Sequence, residues 1–244
     1  MNSKNTLAAK RARLQRARFL SLTEPRDALT AYYALYHDPG RTQLWLHEDD
    51  AGCLDGLVAV CQTGFNLFQP TVVLRAPGFD AVAALGRQAL QPGRPYYIVT
   101  TPCLRPAVQA IMRLEQEEQN RVYRFDPSRY RPEINVLVHP LRTPDGSPKF
   151  VIRSQDQIAA EAGINWRSPN FAELFVHVQP QARGRGWGKA VLSALTITLI
   201  QSGVQPLYMV SEGNSASLRL AQSLGFLDTG AREFAAAGAY VELT

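Results

Sequence analysis

The stretch that most constrains this chain runs from Ala172 to Lys189 and reads AELFVHVQPQARGRGWGK. Leu174, Val176 and Val178 alternate with Glu173, Phe175 and His177, the period-two pattern of a strand, which Gln179-Pro180-Gln181 ends. Gly184, Gly186 and Gly188 then alternate with Arg183, Arg185, Trp187 and Lys189, and an apolar-periodic helix follows to about Ile200. A strand, a glycine loop and a helix N-terminus suit a phosphate. Residues without Cβ let the backbone approach an anion, and the first helical turn adds unpaired N–H donors and the positive dipole end. Arg183, Arg185 and Lys189 bring counter-charge. The spacing excludes two common phosphate loops: Ala190 stands where G-x-x-x-x-G-K-[ST] needs a hydroxyl, and G-x-G-x-x-G is not present.

Val178, Pro180, Arg183, Gly186 and Gly188 instead fill every position of V-x-P followed by [RQ]-x-x-G-x-[GA]. Further on, a strand from Gln205 to Val210 leads to a helix with Asn214, Ser217 and Leu220 in the pattern N-x-x-[AS]-x-x-[LF], ending in Gly225-Phe226. With both motifs in order, the chain from about residue 150 to 244 resembles the GNAT superfamily of acetyl-CoA dependent N-acetyltransferases. The resemblance implies a mixed, mainly antiparallel α/β (α+β) sheet flanked by helices, with two parallel strands, 172–178 and 205–210, splayed around acetyl-CoA as co-substrate. On that alignment Val176, His177 and Val178 line the pantetheine arm, Arg183, Gly184, Arg185, Gly186, Trp187, Gly188 and Lys189 hold the pyrophosphate, and Asn214 and Ser217 stand beside the arm. It implies direct transfer to an amine of a small molecule or peptide, without a metal. Glu173 is the first candidate for the base and His177 the second, with Glu212 and Tyr208 behind them. A bulge in strand 172–178 is expected to decide which of Glu173 and His177 faces the cleft. Many relatives carry a tyrosine acid right after the [LF] of the second motif, but here that residue is Ala221. Ser211, Ser217 or Tyr208 then remain as acids, or the thiolate leaves unassisted. A non-catalytic acyl-CoA-binding or regulatory module is the alternative.

The first half rehearses the second. Strand 71–75, a Pro-Gly loop, helix 80–90, strand 96–99, a helix with Leu104, Val108, Ile111 and Met112 on one face, and strand 121–125 match the later succession at an offset of roughly 110 residues. Two GNAT-like halves are expected, an arrangement similar to that of the glycine N-acyltransferase relatives. The first loop, Ala76-Pro77-Gly78-Phe79-Asp80, has one glycine and an acid but no cation, so this copy is degenerate. Expected boundaries are a basic N-terminal helix or tail over 1–22, the degenerate domain over 23–132 and the transferase domain over 133–244, opening with strands 134–138, 149–153 and 157–166. Before the first copy come a helix over 3–20, another from Thr23 past Tyr36, and a hairpin of 42–48 with 54–62.

Charge and cysteines bound the rest. The formal net charge is +5, but six cations stand before Glu24 with no acid among them, so basicity belongs to the tail. Only Phe19 interleaves these cations with an aromatic ring, which argues against nucleic-acid binding. Cys53, Cys61 and Cys103 lack metal or disulfide spacing and read as buried or half-buried thiols. No apolar run approaches the ~18 residues of a membrane span, and the expected compartment is the cytoplasm. Oligomeric state, monomer or homodimer, is not legible.

Overall fold

The computed structural model of the protein describes residues 6–64, 66–131 and 135–241. They form two compact units, one taking the chain up to Asn120 and again from Arg232, the other Arg121–Ala231.

The first unit begins with α1 (Leu7–Leu14), the described part of the expected helix over 3–20. Its cations are not a free tail. Lys10 Nζ donates to the Leu44 carbonyl at 2.7 Å, Arg11 donates to the carbonyls of Ala34 and His37 at 3.0 and 2.6 Å, and Arg13 pairs with Glu48. Leu14 is buried beneath them. A 3₁₀ turn at Pro25–Asp27, α2 (Ala28–Ala31) and a π turn at Tyr32–Tyr36 then form one continuous coil before β1 (Thr42–Glu48) and β2 (Leu54–Cys61). The hairpin closes because the Asp49 carboxylate accepts from the amides of Ala51 and Cys53 at 3.0 and 2.8 Å. β3 (Thr71–Arg75), α3 (Phe79–Ala89) and β4 (Pro95–Thr100) make a strand–helix–strand crossover, and β3 and β4 pair in parallel only over Thr71–Val73 and Tyr97–Val99. Val72, Leu74, Val82, Leu85, Ile98 and Val108 fill the core between the sheet and its helices. α4 (Arg105–Ile111) stops one residue short of the expected face, since Met112 already starts β5 (Met112–Phe125). That strand is far longer than 121–125. Residues 113–120, polar but for Leu114, do not alternate in hydrophobicity, and Gln116 at φ 50 breaks the pleat. Of the cysteines, Cys61 is buried, whereas Cys53 and Cys103 are exposed in loops rather than half-buried.

In the second unit, the described part of the expected strand 134–138 is a turn, closed by Asn135, whose side chain accepts from the Leu137 amide at 2.9 Å; Ile134 lies outside the described residues. β6 (His139–Arg142), β7 (Pro148–Ser154), β8 (Gln157–Arg167) and β9 (Phe171–Val178) follow as an antiparallel series. α5 (Trp187–Gln201) crosses to β10 (Gln205–Ser211), and α6 (Ser215–Ser223) leads to β11 (Phe226–Tyr240). Leu174, Ala190, Leu192, Leu195, Leu224 and Phe226 are among the residues of this unit's core.

The units are discontinuous in sequence, rather than divided near residue 132, because the last strand of each half serves the other unit. In the first unit β4 is flanked by residues 234–239 of β11, antiparallel to it. In the second, the end of β5 stands next to β10, where Gln205 Nε2 donates to the Phe125 carbonyl at 2.9 Å and Thr229 Oγ1 to that of Val122 at 2.7 Å.

Candidate active site

β9 and β10 pair in parallel at three positions, Phe171 with Gln205, Ala172 with Pro206 and Glu173 with Leu207, and then part. Beyond this fork a cavity of about 210 Å³ opens, lined by Glu173, Phe175 and Val176 from β9, Tyr208 and Ser211 from β10, and Asn214 and Ser217 from the start of α6. The irregularity that accompanies the fork lies in β8, not in β9 as expected. Ile164 partners Leu174 and Trp166 partners Glu173, so Asn165 is an extra residue opposite a regular β9, and it too lines the cavity. Glu173, Phe175 and His177 therefore keep their alternation. Phe175 lies over Gly163, where a Cβ would come within 2.6 Å of its ring, so this glycine makes the space for the aromatic floor of the cleft.

The glycine loop leaves β9 through a 3₁₀ turn at Pro180–Ala182 and enters α5 at Trp187. Gly184 and Gly186 have φ of +78° and +75°, a region that side chains disfavour, and a Cβ on Gly184 would meet nothing within 4 Å. That face of the loop is open to a ligand. Gly188 does different work: a Cβ there would fall 2.9 Å from Val178 Cγ2, so it seats α5 against β9. The first intrahelical bond runs from the Ala190 amide to the Gly186 carbonyl at 3.1 Å, so the helix N-terminus faces the loop. Arg183 Nε reaches the Val178 carbonyl at 3.4 Å, and the Arg185 guanidinium lies 5.1 Å from the centre of the Trp187 ring.

Glu173 is half-buried at the base of the fork, and burial pushes its carboxyl up to about 7 although the Asn165 and Trp166 side chains pull it back. Tyr208 is almost fully buried. Its phenol is raised above the ordinary range by burial and then by the Glu173 charge, against a hydrogen bond with Ser217. Asn214 caps α6, its side-chain oxygen accepting from the Ser217 amide at 3.1 Å, so its NH₂ group is turned to donate. His177 is exposed, sits opposite Glu161 on β8 and does not line the cavity. Glu212 is held by Arg121 at 3.1 Å. Ala221 is fully buried in the core, so α6 presents no phenol at that position. Sequence reasoning found both strands, the loop and Asn214, but missed Asn165 and Phe175. Alternation marks Phe175 only as a face partner of Glu173, and nothing in the residues marks the bulge.

Residues 108–226 match the model of the acetyltransferase (GNAT) family. The chain carries a GNAT acetyltransferase domain. Its fold is also that of solved GNAT proteins. One from Novosphingobium aromaticivorans is 19% identical with a TM-score of 0.56, over 71% of this chain and 85% of that one. One from Colwellia psychrerythraea is 13% identical with a TM-score of 0.55, over 98% of both chains. A tandem GNAT protein of the clavulanic acid biosynthesis pathway is 13% identical with a TM-score of 0.59, over 100% of this chain and 97% of that one, which matches the arrangement in two halves. Comparison with curated proteins returns no significant match. The family uses acyl-CoA as co-substrate, which implies acyl transfer. Among the described residues no helix is long and apolar enough to cross a membrane, and no group of three or more His, Cys, Asp or Glu is arranged to hold a metal.

Proposed function

We propose that the protein is an N-acetyltransferase that passes the acetyl group of acetyl-CoA directly to a primary amine of a small molecule or peptide. The observation that carries this reading is the fork of β9 and β10 with a glycine loop at the end of β9. The exposed edge of β9 at Val176, His177 and Val178 offers backbone groups to the amides of a pantetheine arm, as an added strand would take them. The loop from Arg183 to Lys189 holds the pyrophosphate: Gly184 leaves room, Gly186 makes the left-handed turn into α5, the first turn of α5 donates, and Arg185 and Lys189 balance charge. Asn214 donates its NH₂ to the arm, and Ser217 completes the wall.

Acetyl-CoA supplies the activated acyl group when bound. The residues then have to take a proton from the amine and keep water out. Glu173 fits the first task, since a carboxyl near neutrality at the fork is ionised at working pH yet basic enough to accept. His177, the other candidate, contributes its backbone to the strand edge and leaves its ring outside the cavity. The N-terminal half is a degenerate copy that binds no coenzyme. The cytoplasm, which supplies acetyl-CoA, is the compartment proposed for the reaction.

A second reading, a non-catalytic acyl-CoA-binding or regulatory module, draws on Ala221, which leaves α6 without an acid. Incubation with acetyl-CoA and a panel of amines, followed by free-thiol release, separates the two. Release dependent on an amine is expected. Binding of acetyl-CoA without release by any amine would favour the module, and no binding at all would overturn both.

A further inference from the structure

A second cavity in the unit of β9 and α5, about 310 Å³, opens where the glycine loop meets the hairpin of β7 and β8, and it shares no residue with the cavity at the fork. Small-molecule sites start at ~300 Å³. Gln155, Gln157, Gln179 and Gln181 line it, with Arg185 and Trp187 beside them. We propose that this cavity binds the adenine of a nucleotide: Gln179 and Gln181 read the edge of the base, Trp187 takes its face and Arg185 meets a phosphate.

The chemistry of the wall selects the ligand. Its lining contains no carboxylate and a single guanidinium, so it suits an anion and not a cation. Gln181 Nε2 donates to Gln179 Oε1 at 2.7 Å, which fixes the two carboxamides relative to each other. The Gln179 NH₂ and the Gln181 oxygen are left to a ligand, one donor and one acceptor. Adenine carries the complement on one edge, where its 6-amino group donates and a neighbouring ring nitrogen accepts, the same pairing by which a glutamine reads adenine in DNA. The flat face of the base needs a flat apolar partner. Half-buried Trp187 supplies one, with the Arg185 guanidinium 5.1 Å from its ring centre. A neutral sugar would leave the guanidinium unmatched, and a bare phosphate would leave the indole and the Gln181 oxygen unmatched.

The backbone around the cavity is fixed by pairing. Ser154 pairs with Gln157, and Gln155 and Asp156 between them, at φ 52 and 60, form the tight left-handed turn of a two-residue hairpin. Ala159 is the extra residue where the register of β8 shifts against β7, and its carbonyl accepts from the Gln179 amide at 2.9 Å, which ties the base of the loop to the hairpin. Buried Ala159 and Ala182 put no long side chain into the space. The nucleotide has two sources, the adenosine end of the coenzyme whose pyrophosphate the loop holds, or a free adenine nucleotide. Only the first rests on the acetyl-transfer reading above.

The test is calorimetric titration of the full chain with two matched pairs of ligands, acetyl-CoA against its analogue with purine in place of adenine, and AMP against purine riboside 5′-monophosphate. Each analogue lacks only the 6-amino group. If the coenzyme is the source, acetyl-CoA should bind roughly tenfold tighter than its analogue, the effect of one lost hydrogen bond in the reading edge. If a free nucleotide is the source, the two coenzymes should bind alike and AMP should show that preference over its analogue. In either case Gln181→Leu should cancel the preference, which a merely structural role for Gln181 would not do. Wild type that shows neither preference would overturn the proposal, and this comparison needs no variant. A preference that persists in folded Gln181→Leu would put the base elsewhere and overturn it too; should that variant not fold, Gln179→Leu takes its place. Amine-dependent thiol release with neither preference strikes this site alone. An AMP preference cancelled by Gln181→Leu, with no thiol release by any amine, supports the site and strikes the transfer reading.

Discussion

At the scale of single residues, Glu173 joins the proposed chemistry to the cost of keeping a carboxylate at the fork. Its carboxyl, raised by burial to about 7, binds a proton more tightly in the folded chain than in the unfolded one. The sign follows. Stability from this group is fully present below the unfolded carboxyl value and is lost as pH rises through about 7, because the buried anion is then the form that must be kept. Glu173→Gln should therefore raise the melting temperature at pH 8 by more than at pH 5. The same substitution should lower kcat/KM for the acceptor by roughly 10²–10⁴-fold at neutral pH and leave acetyl-CoA affinity unchanged. Wild type should gain activity as pH rises through about 7, where Glu173 ionises, and the variant should lose that limb of the profile. A Glu173→Gln enzyme that retains the limb at full height would move the base elsewhere.

At the scale of elements, β9, the loop and α5 work as one unit, and the three glycines divide the labour. Gly186→Val puts a β-branched side chain at φ +75°, straining the turn that enters α5. It should weaken acetyl-CoA at least tenfold, about 1.4 kcal/mol, while the protein stays folded, read as loss of the thermal upshift on adding acetyl-CoA. Gly188→Ala instead meets Val178 Cγ2 at 2.9 Å and should cost stability first, lowering the melting temperature without ligand. Much of this element was legible from residues alone. Alternation marked β9, and the glycine spacing marked a loop ending where α5 begins at Trp187. What was not legible has a common cause. The extra Asn165 in β8, the polar stretch of β5 and the turn at Asn135 are set by pairing with other strands or by one side-chain hydrogen bond, and neither leaves a hydrophobic period in the sequence.

At the scale of the whole molecule, two copies of one strand order differ in what happens where their parallel strands part. In the second unit the strands open beyond Glu173 and Leu207, and the wall beyond is a cavity. In the first, β3 and β4 pair over the corresponding three positions, but the space beyond is closed from within. Thr100 Oγ1 donates to the Leu74 carbonyl at 2.8 Å, and the buried Arg75 guanidinium donates to the same carbonyl at 3.0 Å and to that of Arg26 at 3.3 Å. The Leu74 carbonyl, which an added strand would use, is thus already engaged by side chains of the same unit. The loop that follows enters α3 with Asp80 in its first turn, a charge that repels phosphate where the other loop attracts it. The exchange of last strands, 234–239 beside β4 and the end of β5 beside β10, ties the folding of each half to residues of the other, so neither half is expected to survive as a fragment cut near residue 132. On these grounds calorimetric titration of the full chain with acetyl-CoA should give one site per chain, and Asp80→Ala should leave that number unchanged, because Arg75 and Thr100 still fill the first fork. Two sites of similar affinity, or a second site gained by Asp80→Ala, would mean that the first copy is a working coenzyme site.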